Sequence, residues 1–273
     1  MIFIGNTAAY ALQLKTPSNT AVENEMINRM ANYQTTYSFY NLEHFHFTLK
    51  LRSAIIQAAK ELLASKAEFT VFEDSKCNAR YWILTRTGGF QLRNGVQPSN
   101  AIHDIFVNGK QYGFECATAI VIIFYKAVLQ VFGNSLFNRL YQGIYLRDWR
   151  SDEDLPIVTT RGNDYLPGDC VYFNNPEFDP NKSYWRGENA IDLGNGTFYG
   201  HGVGIKTSEE MIEALNKRRK PYATQSAYLL SQVTRLDDRY LFQFSPRSIE
   251  EPLPRFLAAN EIVGKIGQVT FYL

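Results

Sequence analysis

Three side chains in this sequence have the types and settings to do covalent chemistry together: Cys116, His201 and Glu188. Cys116 stands in Tyr112-Gly113-Phe114-Glu115-Cys116-Ala117-Thr118-Ala119, directly ahead of an apolar run from Ala117 to Phe132. That spacing predicts a cysteine on the first turn of a buried helix, with Gly113 allowing a sharp backbone turn before it. The first turn of a helix presents unpaired N–H groups and the positive end of the macrodipole. A thiol placed there has a stabilised thiolate, the form that attacks carbonyl carbon. Free cysteines are also common as small buried residues, so position alone does not make a nucleophile. Its partners must.

The chain has four histidines: His44, His46, His103 and His201. The first three fall at helical or polar positions and read as surface or capping residues. His201 lies in Tyr199-Gly200-His201-Gly202-Val203-Gly204, a predicted strand cleared of bulk on both sides. Glycine in a strand marks a place where another backbone or a ligand comes close. Asn195-Gly196, between the runs Glu188–Leu193 and Thr197–Ile205, signals a hairpin. With a two-residue turn, His201 pairs opposite Ala190 and Glu188 lies one diagonal step away on the same face, roughly 7–8 Å off. A four-residue loop places Glu188 directly opposite His201; only an unbulged three-residue loop separates them. The expected contact is therefore a Glu188 carboxylate that orients the His201 imidazole and stabilises its protonated form. Thiol, imidazole and carboxylate make the general arrangement for a cysteine nucleophile. Cys77 and Cys170 lack a helix-start position and read as ordinary core or surface thiols.

The elements that must position these groups are legible in outline. The chain has 273 residues, 45% hydrophobic and 20% charged, with a formal net charge of +1. It can bury a sizeable core, and its charge balance argues for neither a nucleic-acid nor a membrane partner. The start, Met1-Ile2-Phe3-Ile4-Gly5-Asn6, lacks the basic region of a signal peptide, so synthesis in the cytoplasm is expected. Three widely spaced cysteines make neither a disulfide framework nor a zinc knuckle, and no metal site or cofactor is expected.

Residues 1–40 are polar, and read as a peripheral segment with one helix around Glu23–Tyr33. Leu51 to Leu63 show helical spacing; Phe45, Phe47 and Leu49 alternate and suit either a helical extension or a short strand. Phe69–Phe72 reads as a strand, Tyr81–Leu84 and Phe90–Leu92 as a hairpin, and Pro98 opens a short helix. Gly133-Asn134 stops the cysteine helix, and Ser135 starts another through Tyr141. Strands are predicted at Ile144–Leu146 and Cys170–Phe173. Thr207 and Glu210 form a capping box. Ser226–Leu236 and Arg239–Phe244 read as closing strands. The order gives an α+β fold, with a cysteine-bearing buried helix packed on a mostly antiparallel sheet. Residues 1–244 form a single catalytic domain, divided into N-terminal helices and a hairpin (1–98) and a core (99–244); residues 245–273 form a C-terminal appendage.

The stretches Tyr112–Ile123, Gly168-Asp169-Cys170, Asn174–Pro180, Trp185-Arg186-Gly187-Glu188-Asn189, Gly200-His201-Gly202 and Gln225–Gln232 resemble the Bacillus-type protein-glutamine gamma-glutamyltransferases, the spore-coat transglutaminases. The resemblance covers most of the chain. It implies Cys116 as nucleophile with Glu188 and His201 as partners, a role for Glu115, and aromatic substrate contacts from Trp149 and Trp185, to which Tyr199 adds a third wall. It implies a thioester formed from a glutamine side chain and passed to a lysine amine, with His201 moving the proton. Protein substrates bearing Gln and Lys, the spore coat among them, follow from it. Pro167-Gly168-Asp169 before a strand, followed by His201-Gly202-Val203-Gly204-Ile205, is similar to NlpC-type cysteine peptidases with a papain-like core. A cysteine amidase acting on cell-wall peptides is the alternative. Nothing in the sequence has calcium-loop spacing, so activity without calcium is expected.

Overall fold

The computed structural model describes residues 1–245 and two antiparallel strands, Ile262–Ile266 and Val269–Tyr272. The rest of the expected C-terminal appendage lies outside the described residues. After a single helical turn at Ala11–Leu14, four longer helices precede the main sheet: α1 (Ala21–Asn32), α2 (Leu42–Ser65), α3 (Pro98–Val107) and α4 (Cys116–Leu140). From Ala117 to Phe132 only Gln130 of α4 is exposed, because α2, α3 and the main sheet wrap it. By length and composition α4 could cross a bilayer. Yet 83% of its most apolar window is buried within the protein, so it is a core helix. The expected stop is present as a break at Gly133 (φ 75), after which the helical chain continues to Leu140.

The main sheet has six strands: β1 (Ile157–Arg161), β2 (Cys170–Asn174), β3 (Gly187–Gly194), β4 (Thr197–Gly200), β5 (Gly204–Thr207) and β6 (Tyr228–Leu236). Their order is β5-β4-β3-β2-β6-β1, antiparallel throughout. Strand β3 is buried along its whole length, and α4 packs against it. That contact brings the start of α4 to the sheet. Beyond β5, the Thr207–Glu210 capping box opens α5 (Ser208–Asn216) as expected.

The structure settles one open reading and departs from the sequence reading in four other places. The alternating Phe45, Phe47 and Leu49 belong to α2. Phe69–Phe72 contributes only the strand Glu68–Phe69 before a 3-10 turn at Phe72–Asp74. The N-terminal segment is not peripheral throughout: Ile2–Ile4 pairs with Thr7–Ala9 and Tyr37–Phe39, and Ile2 is buried. Arg239–Phe244 is not a strand but holds α6 (Asp238–Phe242), because the Asp237 side chain caps the N–H groups of Arg239 and Tyr240. Strand β1, largely exposed at the sheet edge, has no alternation that would announce it.

Buried charge fixes the sheet to the helices. Asp169, fully buried at the start of β2, accepts hydrogen bonds from Arg52 of α2 (2.8 Å), Arg235 of β6 (2.7 and 3.1 Å) and the Leu166 N–H (2.8 Å). Asp192 of β3 pairs with Arg29 of α1 at 2.7 Å. Removing one partner of such a group strands the others. Asp169→Ala is therefore expected to lower stability by about 3–5 kcal/mol, read as an earlier midpoint in urea. A loss under about 1 kcal/mol would show that the arginines find other partners.

Candidate active site

Glu115 is the N-cap of α4. Its carboxylate accepts from the N–H of Ala117 (2.7 Å) and from the N–H and hydroxyl of Thr118 (2.6 and 2.7 Å). A carboxylate at this position is the usual answer to unpaired helix-start donors. The donors and the dipole are thus used by Glu115, not by the neighbouring thiol. Burial, then the charges of Glu188 and Glu115, push the Cys116 thiol well above its ordinary value, while the side-chain and main-chain N–H of Asn189 pull it down. The stabilised thiolate expected from the helix start is not the resting form; the thiol is protonated.

The Asn195-Gly196 turn forms, with Gly194 pairing to Thr197 across it. Leu193, however, is an extra residue: the register shifts between Asp192 and Gly194, and Ala190 pairs with Gly200. Gly194 (φ 80) takes the left-handed conformation that makes the bulge accessible. The shift places Glu188 level with Gly202, whose N–H donates to Glu188 Oε1 at 3.1 Å. The expected hydrogen bond between Glu188 and His201 is not among the contacts of the described residues. Instead Glu188 is fully buried with no partner for Oε2 among the described residues, and burial pushes its carboxyl up to about 8. It is the charge that acts most strongly on the Cys116 thiol.

His201 sits in the turn between β4 and β5, not in a strand. Its Nε2 lies 3.2 Å from the Glu68 carbonyl, and its Nδ1 lies 3.1 Å from the Tyr199 hydroxyl. A carbonyl only accepts, so Nε2 carries the hydrogen and Nδ1 accepts from Tyr199. The ring stacks on Phe114 with centroids 4.7 Å apart, and desolvation lowers its pKa to about 4. Both nitrogens are committed and the ring is neutral. The flanking glycines clear space for protein groups: a Cβ on Gly200 would come 2.7 Å from Glu188 Oε1, and one on Gly202 would come 3.0 Å from the Trp185 ring.

A cavity of about 620 Å³ opens beside Cys116 and Glu115. Its walls include Phe69, Phe72, Trp149, Tyr172 and Tyr184, with Glu73, Asp148 and Arg186 as charged groups. Of the three aromatics expected to meet substrate, Trp149 lines the cavity. Trp185 is buried against Phe69 (5.2 Å) with the Arg218 guanidinium 3.8 Å over its ring, and Tyr199 is buried as the partner of His201. Sequence reasoning missed Asn189, whose Nδ2 donates to Cys116 Sγ at 3.5 Å, and Tyr172, its pair across β2. Nothing in the sequence singles out Asn189 beyond its place next to Glu188 in the stretch Trp185–Asn189. Among the described residues no cluster of His, Cys, Asp or Glu could hold a metal ion.

A family model described as protein-glutamine gamma-glutamyltransferase matches residues 1–245. Proteins of that name from Bacillus mycoides (strain KBAB4) and Bacillus cereus (strain B4264) are 45% and 44% identical over 273 residues, covering 99% of each chain. A solved transglutaminase from Geobacillus stearothermophilus, without its C-terminal extension, is 53% identical with a TM-score of 0.73. It covers 76% of this chain and 100% of its own.

The buried Glu188 carboxyl makes a sign-definite prediction. Its folded-state pKa, about 8, lies above the ordinary 4.5. Below about 4.5 both folded and unfolded chains hold the proton; between the two values only the folded chain does, so the stabilising effect fades as pH rises. Thermal melts should show Glu188→Gln gaining on the parent protein from pH 5 to pH 9. A constant difference across that range would mean that the carboxyl titrates normally.

Proposed function

The chain belongs to the protein-glutamine gamma-glutamyltransferase family, and from that premise we propose that it joins proteins through a thioester on Cys116, with Glu188 as the base. The observation that carries this reading is the Glu188 carboxyl, fully buried with one oxygen unpartnered among the described residues and acting on the thiol more strongly than any other charge. In its ionised form Glu188 takes the thiol proton, and the sulfur attacks the carboxamide carbon of a glutamine side chain. The Glu188 acid returns that proton to the departing nitrogen, ammonia leaves, and a thioester remains. A neutral lysine amine then attacks; Glu188 accepts its proton, the C–S bond breaks, and the thiolate is reprotonated. The product is an isopeptide cross-link.

His201, neutral and doubly bonded, takes no proton in this scheme. It holds Glu68–Phe69 and Phe114 against the turn that carries the Glu188 hydrogen bond. Glu115 shapes the helix start and shares in setting the thiol's charge environment. The arrangement of a helix-start cysteine packed on an antiparallel sheet supports a papain-like core, with residues 1–244 acting as one catalytic unit. The family resemblance supports substrates in the spore coat and a location at the spore surface. A cysteine amidase would share the first half-reaction and differ only in admitting water.

Cys116→Ala should form no cross-links, whereas Cys77→Ala and Cys170→Ala keep most activity; EDTA should leave the rate unchanged. Glu188→Gln should lose about 10²–10⁴-fold in kcat/KM. The parent protein's kcat/KM should rise with pH through about 8, as Glu188 ionises, and the variant should lack that limb. Full cross-linking by Cys116→Ala would overturn the mechanism.

Trp149, 36% exposed on the cavity wall, is proposed to shield the thioester from water. Trp149→Ala should raise the ratio of free glutamate to isopeptide product at fixed amine concentration. A tenfold rise needs only about 1.4 kcal/mol of differential barrier. Equal loss of both products, with a lower melting temperature, would make the residue purely structural.

A further inference from the structure

Attack on a carboxamide puts negative charge on its oxygen, and a site that speeds this step needs hydrogen-bond donors aimed there. A helix start usually supplies them. Here the N–H groups of Ala117 and Thr118 are taken by the Glu115 carboxylate, leaving Cys116's own N–H as the helix donor. The protein therefore needs a second donor from outside α4.

Asn189 lies at the right place. It sits on β3 between the buried Glu188 and Ala190, is 8% exposed, and lines the cavity beside Cys116. Its Nδ2 donates to Cys116 Sγ at 3.5 Å, and that is the only bond Nδ2 makes among the described residues. A carboxamide nitrogen carries two hydrogens, so one remains for the cavity side. When the sulfur bonds to a substrate carbon, the carbonyl oxygen sits on that same carbon, within a small swing of the amide.

We propose that Asn189 is the side-chain donor of the oxyanion site, its amide bridging the Cys116 sulfur and the oxygen of the carbon under attack. The assignment rests on the reading of Cys116 as nucleophile. The sulfur lone pair forms the C–S bond, the carbonyl π pair moves to oxygen, and an Asn189 N–H bond holds that oxygen. The pair returns as the C–N bond breaks, and nitrogen leaves as ammonia with the proton from Glu188.

The test separates acyl transfer from simple reactivity of the thiol. Alkylation of Cys116 by iodoacetamide is a displacement at a saturated carbon, with no oxyanion. Asn189→Ala removes both hydrogens, and Asn189→Asp keeps the shape of the side chain without them. For each variant that melts cooperatively, ammonia release from a glutamine peptide and the pH-independent alkylation rate of the thiolate are measured. We expect kcat for ammonia release to fall about 10²–10³-fold with KM little changed, and alkylation to change by less than about tenfold. Equal losses in both reactions would overturn the proposal and leave Asn189 as a residue that positions the thiol. Unchanged ammonia release would overturn it as well. Cross-linking by Cys116→Ala would instead overturn the nucleophile itself, so the two failures are distinguishable.

Discussion

A carboxyl group buried without a cation stays protonated, and the site depends on that constraint at Glu188. The same sheet shows the opposite treatment of two other acids. Asp169 is equally buried but held by Arg52 and Arg235, and Asp192 is held by Arg29. Those acids bind helices to strands. Among the described residues Glu188 receives only one main-chain N–H, from Gly202, while Arg218 acts on it from a distance and lies stacked on Trp185. Withholding a cation keeps its pKa near the range in which a base can both take and return a proton.

The thiol is governed by the same neighbour. Cys116 and Glu188 each disfavour ionisation of the other, so the pair carries at most one negative charge near neutral pH. A proton moved from sulfur to carboxylate leaves that total unchanged, which is why burial does not forbid the transfer. The helix dipole, engaged by Glu115, does not tip the balance toward a standing thiolate. Cys116 therefore rests as a thiol, a form less open to oxidation than an exposed thiolate.

Much of this was legible in the sequence, and the failures have physical causes. The apolar run after Cys116, the Thr207 capping box and the Asn195-Gly196 turn are local signals with local consequences, and each formed. The bulge at Leu193 left no such trace, because the same turn dipeptide serves a bulged and an unbulged ladder. One extra residue reassigned Glu188 from His201 to Gly202. Strand β1 escaped because an exposed edge strand needs no apolar alternation. The α6 segment looked like a strand from Tyr240, Leu241 and Phe242, until the Asp237 cap is taken into account.

The glycines around His201 teach the narrower lesson. They were a true sign of close approach, but a missing side chain reports only that something is near, not what. Here the approaching groups are Glu188 at Gly200 and Trp185 at Gly202. The clearing thus serves the carboxylate, and the histidine sits in it because the tight turn from Gly200 to Gly204 leaves its ring stacked on Phe114. The ring nitrogens of His201 lie against Tyr199 and the Glu68 carbonyl, and the charges that act on the Cys116 thiol are those of Glu188 and Glu115, so burial and like charge set its direction together.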